Sequence, residues 1–559
     1  MTLPSKKSKP NLNRCPQPGR SKTPESLTLR KVALDYFEQR WELFPQEASF
    51  AGFASCDALL NSRDPQKQKQ ALELGARALT QLETIVGDKL EHDDWVDRRL
   101  FLSMLRCEQL GTGQLNQAAR NPQLQVDEAV ESIFSLVLKS KGQLKRQLPA
   151  IRSRLKALPN YLEESLAVIR SPLPLWSDLA QKSCTGAIKF LEDLRPALSQ
   201  LDTAIASTLD LAQTAFRNYA SRLQRRALAE PETLAMGEHN FLFLVRERLG
   251  LDLSLHEIEQ IAHQGIAEIH EQMRSLAKQL SKKSVDALLE ESGQVWESDA
   301  PALLEAYTQA TYNLRDRLAA TGLAQPPPGE TLSVMATPAF MKHHFPTAAY
   351  SSPPAFSADQ EGIFWVNDLS LDETTAAGRR RERLQHFGIE LTTVHEAYPG
   401  HHLQFCHQNQ HPSFLRRMAS HAIYYEGWTL WCEDWCLREG LVDEPWLKVL
   451  GLHDRLWRAH RVLIDCGLQT GRMSVAQAVK HLMQNLGFSR ARAQNDVNWY
   501  TSSPTVPMSY YLGWRSMRSL HQRLVVGQGW SLAEFHRWIL SFGAVPYTWI
   551  LRETPQRVA

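Results

Sequence analysis

No apolar run in the chain approaches the roughly 20 residues that a membrane-spanning helix needs. Neither sign of charge dominates either: 63 Lys and Arg stand against 61 Asp and Glu. The first absence excludes a helical membrane span. The second argues against nucleic-acid and membrane-surface partners, which usually call for a basic surplus. Paired cysteines are also missing. The eight Cys lie at 15, 56, 107, 184, 406, 432, 436 and 466, with no CxxC among them, so they are expected as buried thiols in a reducing compartment. The N-terminus, MTLPSKKSKPNLNRCPQPGRSKTPES, lacks the apolar core of a secretory signal. Its basic, Pro- and Ser-rich composition predicts a disordered tail over residues 1–25, and the protein is expected to be cytoplasmic.

What remains is ordinary globular material: 559 residues, 43% hydrophobic and 22% charged, ample for a large core. From residue 26 to about 325 the pattern is helical. SQLDTAIASTLDLAQTAFRNYASRLQRRAL and LSLHEIEQIAHQGIAEIHEQMRSLAKQL repeat apolar residues at three- and four-residue intervals. Ser254 is a candidate cap for the second. Pro149, Pro159, Pro172, Pro174 and Pro196 are expected to divide the first region into helices of moderate length. After the loop QPPPGE, the segments TLSVMATP and EGIFWVND read as short strands. Helices resume to the end, and ten of the fifteen Trp fall beyond residue 427. The chain is therefore expected to be mainly α, with one small sheet. It divides into a helical region 26–325 and a catalytic region 326–559, compatible with one continuous clefted unit.

The standard zinc motif of two His one helical turn apart is absent, although its first half is present. In VHEAYPGHHLQ, Pro399 stands where the second His belongs. In an unbroken helix His401 would lie about 240° around from His395, and His402 about 10 Å along the axis. Neither could share one ion with His395 through bonds of about 2 Å. Pro399 removes a helical donor and pushes Tyr398 out of the helical region, while Gly400 leaves the backbone free. The helix that begins near RRERLQHFGIEL, with Phe387, Leu391 and Val394 as its inward stripe, should break there. One of the two His then swings back towards His395, and Glu396 is placed to activate a water.

A third ligand is available downstream. AIYYEGWTLWCEDW reads as a helix with Glu426 near its start and Glu433 two turns on, on the same face. Catalytic zinc commonly takes three protein ligands and keeps a place for water. Glu426 is the preferred ligand. Glu433 is the alternative, though better suited to supporting a ligating His through a hydrogen bond.

HEAYPGHHLQ followed by YYEGWTLWCE resembles the bacterial domain-of-unknown-function 885 family, placed with the gluzincin metallopeptidases. The blocks GEHNFLFLVRERLGLDLSLHEIEQIAHQG, ATPAFMKHHFPTAAYSSPPAF, EGIFWVND, RVLIDCGLQTGRMSVAQAV and DVNWYTSSPTVPMSYYLG extend the likeness over about residues 235–540. The resemblance implies a large helical zincin-like fold with its small sheet beside the active-site helix. It also implies metal ligands His395, His401 and Glu426, Glu396 as general base, and Tyr510 as a donor to the oxyanion, with His402 a second candidate for that role. Gln469 and Asp496 depart from the His and Glu that are commoner in the family.

The expected activity is zinc-dependent hydrolysis of a peptide bond, with Zn2+ as cofactor and a peptide as substrate. The alternatives are a zinc amidohydrolase acting on a non-peptide amide, and a non-catalytic helical interaction protein with a relict metal site. The strand around Ile363–Val366 is either an edge on which an extended peptide pairs or an ordinary internal strand. Arg379–Arg381 and Lys342 could meet a substrate terminus only on grounds of charge. Oligomeric state and the choice between exo- and endopeptidase are left open.

Overall fold

The computed structural model describes residues 21–280, 284–299, 302–337, 347–367 and 375–551. Of the tail expected over residues 1–25, residues 1–20 lie outside these, while Pro24 and Glu25 already belong to a helix capped by Thr23; Lys342 and the side chain of Arg381 also lie outside. The chain forms two compact units. One runs to Leu234 and includes Pro354–Ser357; the other comprises Ala235–Pro353 and the chain from Ala358 onward. The division falls well before the change in texture at Gln325 on which the sequence division rests.

The first unit is built of helices, chiefly α1 (Pro24–Leu43), α2 (Pro65–Glu83), α3 (His92–Glu108), α4 (Gln123–Lys139), α5 (Leu148–Val168), α6 (Pro174–Leu201) and α7 (Ile205–Leu223). In α7 the buried residues Leu209, Ala212, Phe216, Tyr219 and Leu223 follow the three-four spacing that makes one apolar stripe. Prolines start α1, α2 and α6, where the missing N–H would have no partner anyway. Pro159 and Pro196, expected to end helices, instead lie inside α5 and α6, which run to 21 and 28 residues. Local propensity is overridden here by the packing of the flanking turns, whose Leu158, Tyr161, Leu162 and Leu198 are fully buried.

The second unit contains α8 (Leu255–Leu280), α9 (Leu303–Thr321), β1 (Glu330–Ala336), β2 (Ala348–Ser351) and β3 (Gln360–Val366). It continues with α10 (Ile389–Glu396), α11 (His401–Asn409), α12 (Ala422–Arg438), α13 (Pro445–Thr470), α14 (Val475–Leu486), α15 (Arg490–Ser502) and α16 (Val506–His521). Ser254 does cap α8: its hydroxyl accepts from the Glu257 N–H at 3.3 Å, and Glu257 accepts from the Ser254 N–H at 2.8 Å. The three strands lie in the order β1-β3-β2, β1 parallel and β2 antiparallel to β3. The Ile363–Val366 strand is therefore central, paired on both sides, and offers no edge to a peptide. β2 was not legible, because its sequence AAYS is too short to show alternation.

The Trp-rich C-terminal half forms the core beneath the site. His536 shows how it is wired. Its ring packs against Trp428 and Trp435. Its Nε2 accepts from Trp431 Nε1 at 3.1 Å, which leaves Nδ1 as the donor to the Leu323 carbonyl at 3.0 Å. Burial pushes its pKa down to about 3. The folded value lies below the unfolded one of about 6.5, so this ring's contribution to stability is complete above that pH and is lost as pH falls towards 3. His536→Asn is expected to melt lower than the wild type at about pH 7.5 but to lose less between about pH 7.5 and 5. Parallel pH profiles of the melting temperature would contradict this assignment.

Candidate metal centre

The helix carrying the motif is shorter than its apolar stripe suggests. Gly388 adopts φ 89°, a left-handed conformation that starts α10 afresh, and Phe387 stands outside the helix stacked 4.3 Å from Trp446. α10 then ends at Glu396, and the helix resumes at His401 as α11. The break at Pro399-Gly400 is thus present, and the Tyr398–Pro399 bond is cis. The requirement at Gly400 is space rather than backbone angle: a Cβ there would sit 1.8 Å from the His395 carbonyl oxygen and 2.3 Å from that of Val394. The chain doubles back against the end of the helix it has just left. Trp428 on α12 holds the turn, its indole N–H donating to the Pro399 carbonyl at 2.9 Å.

That return brings three groups together. His395 Nε2 and His401 Nε2 each lie 3.5 Å from the same oxygen of Glu426, and all three residues are buried. The two rings meet at 85° with centroids 5.0 Å apart. These contacts are too long for hydrogen bonds, and that Glu426 oxygen has no partner. Tetrahedral zinc with ligand bonds of 2.0–2.2 Å sets its ligand atoms about 3.4 Å apart. The spacing therefore fits an ion between the groups, and an imidazole–imidazole–carboxylate donor set suits zinc.

Glu433 sits two turns along α12 from Glu426, and the two straddle one ring: Glu426 faces Nε2 of His395, and Glu433 takes Nδ1 at 2.7 Å. The Glu433 bond fixes the tautomer that leaves Nε2 free to ligate. Burial alone would depress the His395 pKa, but Glu426 and Glu433 raise it to about 10. Burial would likewise raise that of Glu426, and the facing His401 and His395 hold it well below the usual carboxylate range. The cluster favours positive charge, which a protonated His395 or a bound cation would supply. Glu433→Gln is expected to weaken zinc about 10- to 100-fold in chelator competition, and unchanged affinity would refute that role.

Glu396 closes α10 beside this group. Burial lifts its carboxyl above the usual range, while His395 and His401 pull it back. Among the described residues it has no hydrogen-bond partner, so its lone pairs are available. Tyr510 on α16 comes alongside because α12 and α16 touch backbone to backbone. A Cβ on Gly427 would lie 2.7 Å from Gly513, and one on Gly513 would lie 2.2 Å from the Ile423 carbonyl. One turn before Gly513, Tyr510 stacks its ring 6.3 Å from His395, and burial together with the nearby Glu426 carboxylate pushes its phenol well above the usual pKa.

His402 is not brought to this group. It is fully buried, with Nδ1 3.0 Å from the Tyr350 hydroxyl on β2 and Nε2 bonded to Glu330 on β1. Tyr398 donates to the same Glu330 oxygen at 2.7 Å. Both ring nitrogens are engaged, so His402 ties α11 to the sheet instead of reaching towards a substrate. Glu330, Tyr350 and Tyr398 were not singled out from the sequence: Glu330 lies more than 60 residues before the motif and no spacing links them. Glu330, His402 and Cys406 form a second cluster of possible ligand atoms. Gln469 is buried, and its amide donates to the Tyr500 carbonyl at 3.3 Å. The seven described cysteines are free thiols, six of them buried.

The fold is shared with two solved structures. One is described as a "putative lipoprotein of unknown function" from Shewanella oneidensis, with TM-score 0.72, 18% identity, and coverage of 93% of this chain and 98% of that one. The other is a "putative lipoprotein" from Colwellia psychrerythraea, with TM-score 0.74, 18% identity, and coverage of 94% and 98%. No curated protein is significantly similar in sequence. The cytoplasmic expectation is corrected on this ground: both proteins that share the fold are described as lipoproteins. The premise was unsound on physical grounds too: a covalent lipid needs neither an apolar span nor a basic surface. Among the described residues no helix is long and apolar enough to cross a membrane, which leaves that question untouched. The profile of the family described as "Bacterial protein of unknown function (DUF885)" matches residues 45–553, and the chain belongs to that family.

Proposed function

We propose that this protein is a zinc-dependent peptidase of the gluzincin type, with a zincin-like catalytic unit. One observation carries the reading: the Nε2 atoms of His395 and His401 converge at 3.5 Å on an oxygen of Glu426 that has no other partner. His395, His401 and Glu426 hold the ion, and Glu433 keeps His395 in the ligating tautomer. A zinc ion held there would supply Lewis acidity to a substrate carbonyl and to water. Glu396, its basicity raised by burial, takes a proton from the attacking water and delivers it to the leaving amine. Tyr510 donates its phenol hydrogen to the oxygen on which charge develops, a contribution of about 2.7–4 kcal/mol when preorganised.

The test is incubation of the purified full chain with a peptide library before chelation, after chelation and after zinc is restored. Cleavage that disappears and returns supports the reading. Zinc binding without cleavage of any peptide would favour a non-peptide amide as substrate, and absence of zinc binding would favour the relict site.

A further inference from the structure

Resting on the peptidase reading, the geometry points to Arg461 as the anchor for a free C-terminal carboxylate, so that the enzyme removes short pieces from the C-terminus of its substrate. Arg461 lies on α13 and is only 5% exposed. Its guanidinium is held over the rings of Trp457 at 3.9 Å and Tyr510 at 4.7 Å, with Trp499 and Tyr500 at 5.4 Å. The Nε–H donates to the Tyr500 hydroxyl at 2.9 Å. Nη1 is buried with no hydrogen-bond partner. Among the described residues no carboxylate comes within ion-pair distance. Asp496 acts on it only through space.

A buried guanidinium without an anion is costly. The unpartnered Nη1 keeps the donors that a carboxylate oxygen would accept. Its position specifies which carboxylate. Tyr510 is shared: the ring under the guanidinium at 4.7 Å is the ring stacked 6.3 Å from His395. An extended peptide advances about 3.3–3.6 Å per residue. A chain whose scissile bond lies at the metal centre therefore reaches the guanidinium about one to three residues further on. Trp499, which packs edge-on to Tyr510 at 6.5 Å and is 36% exposed, carries this group of rings to the solvent-facing surface.

The test compares one peptide as the free acid and as the C-terminal amide. With the zinc-loaded chain, kcat/KM for the acid should exceed that for the amide by at least about 30-fold. Arg461→Met should bring the acid-to-amide ratio of kcat/KM close to one, mainly by raising KM for the acid, and Arg461→Lys should restore part of the ratio. The readout independent of activity is calorimetry on the metal-free full chain with an N-acetylated dipeptide and its amide. Tighter binding of the acid in the wild type, lost in Arg461→Met, supports the anchor. Equal treatment of acid and amide by the wild type in either assay overturns it, and this result needs no variant to fold. Cleavage of neither peptide would count against the peptidase reading, and calorimetry alone would then decide for or against Arg461.

Discussion

Glu396→Gln is expected to lower kcat for peptide cleavage by about 10²- to 10⁴-fold, with zinc content and melting temperature unchanged. The amide has the shape of the carboxylate but cannot take a proton from water. Glu396 is also the one acid of the cluster not committed elsewhere: Glu426 faces the two His, and Glu433 is bonded to His395. Because Glu396 has no hydrogen-bond partner among the described residues, its replacement breaks no structural contact. Cleavage at the wild-type rate would mean that the water is activated by another group. Zinc loss would mean that Glu396 is a ligand.

Gly400→Ala should have the second large effect, and it should act on the metal instead of on the chemistry. The added methyl would meet the carbonyl oxygens of His395 and Val394 at 1.8 and 2.3 Å. These are backbone atoms of α10 and cannot turn aside as a side chain could. Relief requires the 397–400 turn to open, which carries His401 away from Glu426. The expected result is zinc stoichiometry near zero, with a stability loss of about 1–3 kcal/mol from overpacking. His401→Ala is the useful comparison, since it should lose zinc without the loss of stability. A Gly400→Ala protein that binds zinc as tightly as wild type would contradict the tight reversal on which the site depends.

The motif's irregularity was legible because Pro399 followed directly by Gly400 disfavours a continuous helix, whereas Pro159 and Pro196, with no glycine after them, are carried inside α5 and α6. Glu426 and Glu433 were legible because a spacing of seven places both on one helical face, although their grip on opposite nitrogens of His395 required the fold. The strands around Val334 and Phe364 could be read from β-branched and aromatic composition. Their order could not, since pairing is set by contacts far apart in sequence. Two errors share a cause. Pro159 and Pro196 were read as helix ends, and Phe387 as part of a continuous helix, because local signals were trusted where packing and a single positive-φ glycine decide. Arg461 escaped notice because nothing in RAHRVLIDCG marks one arginine of a helix as buried and unpaired; that property exists only once the rings of Trp457 and Tyr510 have closed over it. The cytoplasmic expectation rested on charge and apolar runs, which do not report whether a lipid is attached.

X-ray absorption at the zinc edge of the zinc-loaded full chain tests the central claim most directly. The account predicts one zinc per chain, with two imidazole nitrogens and carboxylate or water oxygens at about 2.0–2.2 Å and no sulfur. A sulfur neighbour at about 2.3 Å would move the ion to Cys406 in the cluster with Glu330 and His402. That result, or no stoichiometric zinc at all, would contradict a centre built from His395, His401 and Glu426.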